Sequence, residues 1–251
     1  MTMLKKFLFA DLDDTLFQSK RKCPDRPDLK PVGYLKDGTA HSFATPAQGS
    51  LFSLFSREMA VIPVTARNAD AFRRVRLDFQ HGAVVNYGGV ILDADGDPET
   101  EWLKRSASHA ADSLPGLQGV SAAIERHAAG VGAKVRVRII EDFAVPFYVC
   151  AKSEEGDEKS LDGIESFTRR HCDENSLPVT VHRNGNNLSV LPEWLDKRPA
   201  VEHLAERLRA EHGEIVTIGM GDSLSDIAFM RACDYALVPS PSQINRLLGG
   251  A

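Results

Sequence analysis

Phe9-Ala10-Asp11-Leu12-Asp13-Asp14-Thr15-Leu16-Phe17 is the stretch that decides the fold. The run that leads into it, Lys5 to Ala10 (Lys-Lys-Phe-Leu-Phe-Ala), is short and apolar and reads as a buried parallel strand. Asp11 and Asp13 then lie where that strand ends, with Leu12 turned the other way. In an open α/β sheet, ligands bind just beyond the carboxyl ends of the strands, so the two carboxylates share one small site. One of them can attack as a nucleophile or hold a cation while the other trades a proton. An isolated Asp-x-Asp is more often a solvated acidic turn, here with Thr15 capping the next segment, so the reading needs support from elsewhere in the chain.

That support comes from Ile215-Val216-Thr217-Ile218-Gly219-Met220-Gly221-Asp222-Ser223-Leu224-Ser225-Asp226, which repeats the sequence of strand, turn and acidic pair. Val216 to Ile218 is apolar and β-branched. Gly219 and Gly221 let the backbone turn closely, and Ser223 or Ser225 can cap the helix that carries Ile227, Ala228 and Met230. Asp222 therefore also lies at a strand end. Two such acidic clusters make a hard oxygen site suited to Mg²⁺. Between them, Val61-Ile62-Pro63-Val64-Thr65-Ala66-Arg67 is another apolar strand ending in a hydroxyl, and Thr65 either donates to an anionic oxygen or caps a helix from Asn68 to Phe79. Lys197 stands just before an amphipathic helix with Val201, Leu204 and Leu208 on one stripe.

Together, Asp11-x-Asp13-x-Thr15, Thr65, Lys197 and Gly221-Asp222-(x)3-Asp226 resemble the four ordered motifs of the haloacid dehalogenase superfamily, specifically its Mg²⁺-dependent phosphatases. The resemblance runs from Phe7 to about Val238. It implies an α/β fold, a Rossmann-like parallel-sheet core with an inserted α+β cap domain. It also implies Asp11 as nucleophile, Asp13 as general acid and then base, and Thr65 and Lys197 as further catalytic residues. Mg²⁺ would be held by Asp11, Asp13, Asp222 and Asp226. The second Asp of Asp11-x-Asp13 marks phosphatases and phosphomutases within the superfamily.

Along the chain, the polar stretch from Gln18 to Thr45 reads as a hairpin-like flap over the site. Helices at Pro46–Arg57 and Asn68–Phe79 alternate with strands at Ala60–Val64 and Ala83–Val85, the βαβ rhythm of a parallel sheet. Asn86-Tyr87-Gly88-Gly89 makes a turn into Val90–Asp93. The pattern then changes, with helices at Glu99–Ser113, Leu117–Gly130 and Glu158–His171. Strands are expected at Lys134–Glu141, Pro146–Ala151, Pro178–His182 and Asn187–Val190, the first two joined by an antiparallel turn at Asp142-Phe143-Ala144. The core is thus expected over 1–94 and 188–251 and the cap over 95–187, with the last strand open to either. A cap at this point resembles subclass IIB, the group of Cof-like and sucrose-phosphate phosphatases. Arg136 and Arg138 share one face of a cap strand, where they either reach a second anionic group of the substrate or stand as exposed sheet charge. Thr15, Arg67, Asn86, Arg136 and Arg138 form the expected substrate-binding set.

Composition fits such an enzyme. The 251 residues are 43% hydrophobic, ample for a sizeable core. A formal charge of −5 gives no basic footprint, which argues against nucleic acid as a structural partner. No apolar run approaches the roughly 18 residues that span a bilayer, and the apolar start is cut short by Asp11, so it reads as mature sequence. Cys23, Cys150, Cys172 and Cys233 form no Cys-x-x-Cys pair, which points to a reducing cytoplasm and away from a zinc site or a disulfide framework. The expected function is Mg²⁺-dependent hydrolysis of a phosphomonoester, a small sugar phosphate or related metabolite, through an aspartyl phosphate, by a monomer or homodimer. The alternatives are a catalytically weak member that binds a phosphorylated ligand, which should have lost Asp11 or Asp222, and a phosphomutase, which usually carries its cap between Asp13 and Thr65.

Overall fold

Strand β1 (Lys5–Ala10) is the centre of the molecule's parallel sheet, because its side chains are apolar on both faces. It pairs in parallel with β12 (Ile215–Met220) on one side and β5 (Ala60–Pro63) on the other, and β13 (Tyr235–Leu237) extends the sheet beyond β12. A parallel bridge from Val64 to Val84 continues the pairing toward β6 (Ala83–Val85), which forms a hairpin with β7 (Val90–Leu92). Alternation along β1 sorts the core into two layers. Phe7 and Phe9 pack with Val201 and Leu204 of α5 (Lys197–His212) and with Phe229 of α6 (Ile227–Met230). Leu8 and Ala10 face Phe55 of α1 (Pro46–Glu58). A short α7 (Gln243–Leu247) adds Ile244 to the first layer. The computed structural model describes residues 4–154 and 159–249.

The Gln18–Thr45 stretch forms an antiparallel sheet, β2 (Gln18–Ser19), β3 (Lys30–Tyr34) and β4 (Ala40–Ala44), with β4 in the middle. It is fastened down, since Val32 and Ala44 are buried in the same apolar cluster as Leu8 and Phe55. Its edge also pairs with the chain after Phe72: Tyr34 N–H donates to the Arg74 carbonyl and Arg76 N–H to the Val32 carbonyl. This pairing accounts for a departure from the expected Asn68–Phe79 helix. Only α2 (Ala69–Phe72) is helical, because beyond it the backbone groups bond to β3.

The chain divides into two compact units, one from Met1–Leu103 with Asp196–Ala251 and one from Lys104–Leu195. The second unit holds an antiparallel sheet of β8 (Val135–Asp142), β9 (Val145–Ser153), β10 (Val179–Asn184) and β11 (Asn187–Pro192), in the order β10-β11-β9-β8. One face is covered by α3 (Thr100–Gly130) and α4 (Asp162–Glu174), whose Leu117, Val120, Ile124 and Ile164 pack on Val149, Ala151, Leu188 and Val190. Two expected helices are in fact the single α3, which runs through Pro115. The expected helix at Glu158–His171 is α4, and Glu158 itself lies outside the described residues.

The unit boundaries fall at 103/104 and 195/196 and not at 94/95 and 187/188. β11 is the reason for the second shift, since it is registered against both β9 and β10. The first turn of α3 accounts for the other, because Trp102 is buried with Phe7 and Phe9 in the first unit.

Candidate active site

The site begins where the parallel ladder stops. Asp11 N–H donates to the Met220 carbonyl at 2.8 Å, one bond past the last pair of β1, so the sheet itself fixes the Asp11 backbone. Lys197 opens α5, and Asp196 caps that helix by accepting from Arg198 N–H at 2.7 Å. The Lys197 ammonium is buried and donates to Asp11 Oδ1 at 2.7 Å and to Asp226 Oδ1 at 2.6 Å, with the Phe229 ring 5.6 Å away. Gly88 makes this placement possible. Its φ is +97°, and a Cβ there would stand 2.1 Å from the Asp196 carbonyl oxygen, so only glycine lets the 86–88 turn lie against the start of α5.

Asp226 is held on all sides. Its Oδ2 accepts from Asp222 N–H, Ser223 N–H and Ser223 Oγ at 3.2, 3.0 and 2.7 Å, so its carboxylate closes the turn that presents Asp222. Ser223 and Asp226 form a capping box, the serine function expected from the sequence. Gly221 leaves the room for this: a Cβ would come within 2.5 Å of Asp226 Cβ and 2.8 Å of its Cγ. Gly221→Ala is therefore expected to push the Asp226 carboxylate off Lys197 and cost about 1–3 kcal/mol of stability. A thermal melt with a parallel phosphate-release assay checks it, and a variant with the parent melting temperature and activity would show that the turn has slack.

Carboxylate oxygens of Asp11, Asp222 and Asp226 lie within 4.8 Å of one another. With Lys197 as their sole bonded cation among the described residues, three ionised carboxylates carry two negative charges in excess. The neighbouring acids are already paired. Asp13 takes both ends of the Arg67 guanidinium at 2.7 Å, and Asp14, held at φ 65°, binds Lys22. Burial, then Asp226 and Asp14 nearby, push Asp222 up to about 7. Burial is also the largest cause that holds Asp11 well above the usual carboxylate range, outweighing the attraction of Lys197. Lys197 is held above the ordinary lysine range because the attraction of Asp11 and Asp226 more than offsets its burial. Such an unbalanced, oxygen-only donor set fits a small divalent cation.

Thr65 is buried at the end of the β5 segment, where its N–H donates to the Val84 carbonyl and its Oγ1 accepts from Arg67 N–H at 3.1 Å. Thr15, also buried, donates to Asp222 Oδ1 at 3.5 Å. Asn86 is fully buried in the left-handed region at φ 51°, its N–H bound to the Arg67 carbonyl, so it shapes the loop beneath the site. Arg67 ties three elements together: besides Asp13 it reaches Ser42 Oγ of β4 at 3.4 Å and lies 5.2 Å from the Phe17 ring. Arg136 and Arg138 are exposed on β8 in the second unit. The sequence reading missed Asp14, Lys22 and Ser42. Asp14 stands next to Asp13 and was open to notice, whereas nothing in the local sequence of Lys22 or Ser42 announces a role.

No protein-family model matches the chain, and no curated protein sequence matches it. Solved structures do resemble it. The sucrose-phosphatase from Synechocystis sp. PCC6803, solved with sucrose and phosphate, superposes with a TM-score of 0.58 at 16% identity, covering 98% of this chain and 87% of that one. The C-terminal domain of C. albicans trehalose-6-phosphate phosphatase gives 0.58 at 10% identity, over 91% and 74% of the two chains. Plasmodium falciparum IMP-nucleotidase gives 0.58 at 16%, over 97% and 66%. The chain therefore has the haloacid dehalogenase fold that these phosphatases share, with the acids of its motifs gathered at the ends of β1 and β12.

Proposed function

We propose that the protein is a Mg²⁺-dependent phosphomonoester hydrolase that works through an aspartyl phosphate on Asp11, on a small sugar phosphate or related metabolite. The observation that carries this reading is the buried Lys197 shared by Asp11 and Asp226 beside Asp222, an arrangement with a missing positive charge at the end of two parallel strands. Asp11 and Asp222 have oxygens left for a cation, as does the backbone of Asp13. Asp226, saturated by its own loop, orients the others. Asp11, Asp222 and the backbone of Asp13 would hold the Mg²⁺, which would supply the positive charge needed to offset the repulsion between a carboxylate and a phosphate dianion. Lys197 keeps Asp11 aimed and adds positive charge, and Thr65 and nearby N–H groups receive the equatorial oxygens. Asp11 Oδ attacks phosphorus and the ester C–O–P bond breaks on the phosphorus side. Asp13 gives its proton to the departing alkoxide and later takes one from the water that hydrolyses the acyl phosphate. Arg67 holds both Asp13 oxygens before substrate binds, so this ion pair has to open for Asp13 to take up the proton it gives.

Both Asp11 and Asp222 are present, which favours turnover over mere binding of a phosphorylated ligand. The Gln18–Thr45 segment is a small docked sheet and not a cap, which speaks against a phosphomutase. The second unit, Lys104–Leu195, is read as the cap. All four cysteines are free thiols, in keeping with a reducing cytoplasm, and no helix among the described residues is long and apolar enough to cross a membrane. A screen of phosphate esters scored by released phosphate, with and without excess chelator, tests the reading. Full activity in chelator overturns the metal assignment, and no release from any ester with Mg²⁺ overturns the hydrolase.

The raised pKa of Asp222 adds a linkage prediction. Between about pH 4 and 7 the unfolded chain has given up this proton and the folded metal-free protein has not, so ionisation works against the fold as pH rises. Stability of the metal-free protein should fall across that window and level off above it. A divalent cation replaces the proton, so Mg²⁺ should raise the melting temperature more at pH 8 than at pH 5. Equal shifts at the two pH values would remove Asp222 from the metal site.

A further inference from the structure

The face of the second unit's sheet that does not pack on α3 and α4 carries two rows of polar and basic side chains. Register places Arg136 of β8 directly opposite Lys152 of β9, and Lys152 opposite Asn187 of β11. The next row along the same face runs Arg138, Cys150, Ser189. In this order the two rows end at Asn184 and His182 of β10. Neighbouring strands are about 4.8 Å apart and alternate residues on one strand about 6.8 Å apart, so three cations fall within the span of one small molecule. Every side chain in the two rows can donate a hydrogen bond, and none is a carboxylate.

The placement is unusual in a chain with net charge −5. Like charges opposite one another on a sheet repel, which costs stability unless something of opposite sign offsets it. Among the described residues, no carboxylate lies within ion-pair distance of Arg136, Arg138 or Lys152, although the same structure pairs Arg169 and Arg183 with Glu165 on the helical side. Burial makes the Cys150 thiol harder to ionise, and Arg138, Lys152 and Arg136 counter it; register sets Arg138 opposite Cys150 and Arg136 opposite Lys152. Arg136 and Lys152, with Ser153 and Glu154, also line a recess of about 230 Å³. β8 is the edge strand, which leaves both arginines open to solvent.

We propose that this face binds a small, multiply charged oxyanion, a phosphate or polycarboxylate group, with Arg136, Arg138 and Lys152 as its ligands. The group belongs either to a substrate that carries a second anion besides the ester cleaved or to a separate anionic metabolite. The site stands on the second unit alone, so its test does not depend on the hydrolase reading. Inorganic pyrophosphate is titrated calorimetrically into the intact protein stripped of divalent metal on a chelating resin, with no soluble polycarboxylate present to compete, so that the acidic site of the first unit, short of positive charge, repels it. The parent protein should bind with an affinity that weakens as salt is raised. The double variant Arg136→Ala, Arg138→Ala should bind about tenfold or more weakly, since charge-assisted hydrogen bonds are lost. The exposed Arg126→Ala on α3, which removes the same kind of charge elsewhere, should bind as the parent does.

A second measurement separates the sources. If the double variant raises KM for a sugar bisphosphate while leaving the matching monophosphate unchanged, the anion is part of the substrate. If both KM values stay put while pyrophosphate binding is lost, it is a separate ligand. Unchanged pyrophosphate binding in a double variant with the parent melting temperature overturns the proposal. So does an equal loss in Arg126→Ala, which would reduce the effect to overall charge.

Discussion

Asp11→Asn should fold at least as stably as the parent protein in the absence of metal and yet release no phosphate from any ester. The amide cannot form an acyl phosphate and gives up a metal ligand, so a loss of about 10⁴-fold or more in kcat is expected. Its stability follows from the charge excess. Asp11 is buried, and both burial and the nearby Asp226 work against its ionisation. A neutral side chain relieves that opposition and leaves Lys197 bound to Asp226 at 2.6 Å. The reverse holds for Lys197→Met, which strands two buried carboxylates without their cation and should cost about 3–5 kcal/mol. Melting curves in chelator together with a phosphate-release assay separate the cases. If Asp11→Asn keeps a tenth of the parent activity, another group is the nucleophile. If Lys197→Met melts with the parent, the buried ion triad does not hold the site together.

The contrast between the two variants shows which parts of the site were legible before the structure. Asp11 and Asp222 announced themselves because each follows a continuous apolar run, and such a run has few ways to be buried other than as a strand of a doubly covered parallel sheet. Lys197 was legible only as one of four ordered motifs, since its position beside Asp11 depends on Gly88 admitting the Asp196 carbonyl. The Arg67–Asp13 pair was not legible, because it joins residues 54 apart and neither local segment records the other. The fold shows the same division. Pro115 stands in the gap between the two expected helices, Glu99–Ser113 and Leu117–Gly130, and proline removes an internal hydrogen bond at a cost of about 3 kcal/mol. The helix continues because Leu117, Val120 and Ile124 bury almost all of their surface on the sheet, each contributing about 1.5–3 kcal/mol. At Asn68–Phe79 the balance went the other way: strand β3 competes for the backbone of Arg74 and Arg76, and helical pattern alone could not foresee a partner from the Gln18–Thr45 segment.

Asp13→Asn should show an effect that depends on the leaving group, which separates its role from that of Asp11. A sugar alkoxide must be protonated as it departs, so hydrolysis of a sugar phosphate should fall by about 10²–10⁴-fold. Nitrophenolate leaves as a stable anion, so the first step with p-nitrophenyl phosphate should survive. The second step still needs a base to take a proton from water, and an amide cannot serve. The variant should therefore release nitrophenol in a burst of about one equivalent per active site and then turn over slowly while phosphate stays on Asp11. One of the two Arg67 bonds is lost, since the asparagine oxygen still accepts while its NH2 meets a guanidinium donor, and the Ser42 Oγ and Phe17 ring contacts keep Arg67 in place. Arg67 also explains why the burst is informative. With one of the two guanidinium contacts at 2.7 Å kept, the asparagine stays anchored, and Asp13→Ala, which loses both, is the control for a loss of order around the site. Rapid quench in acid with labelled substrate, followed by peptide mapping, measures the trapped intermediate. Label on Asp13, or a parent rate for the variant on a sugar phosphate, would exchange or abolish the roles assigned to the two aspartates.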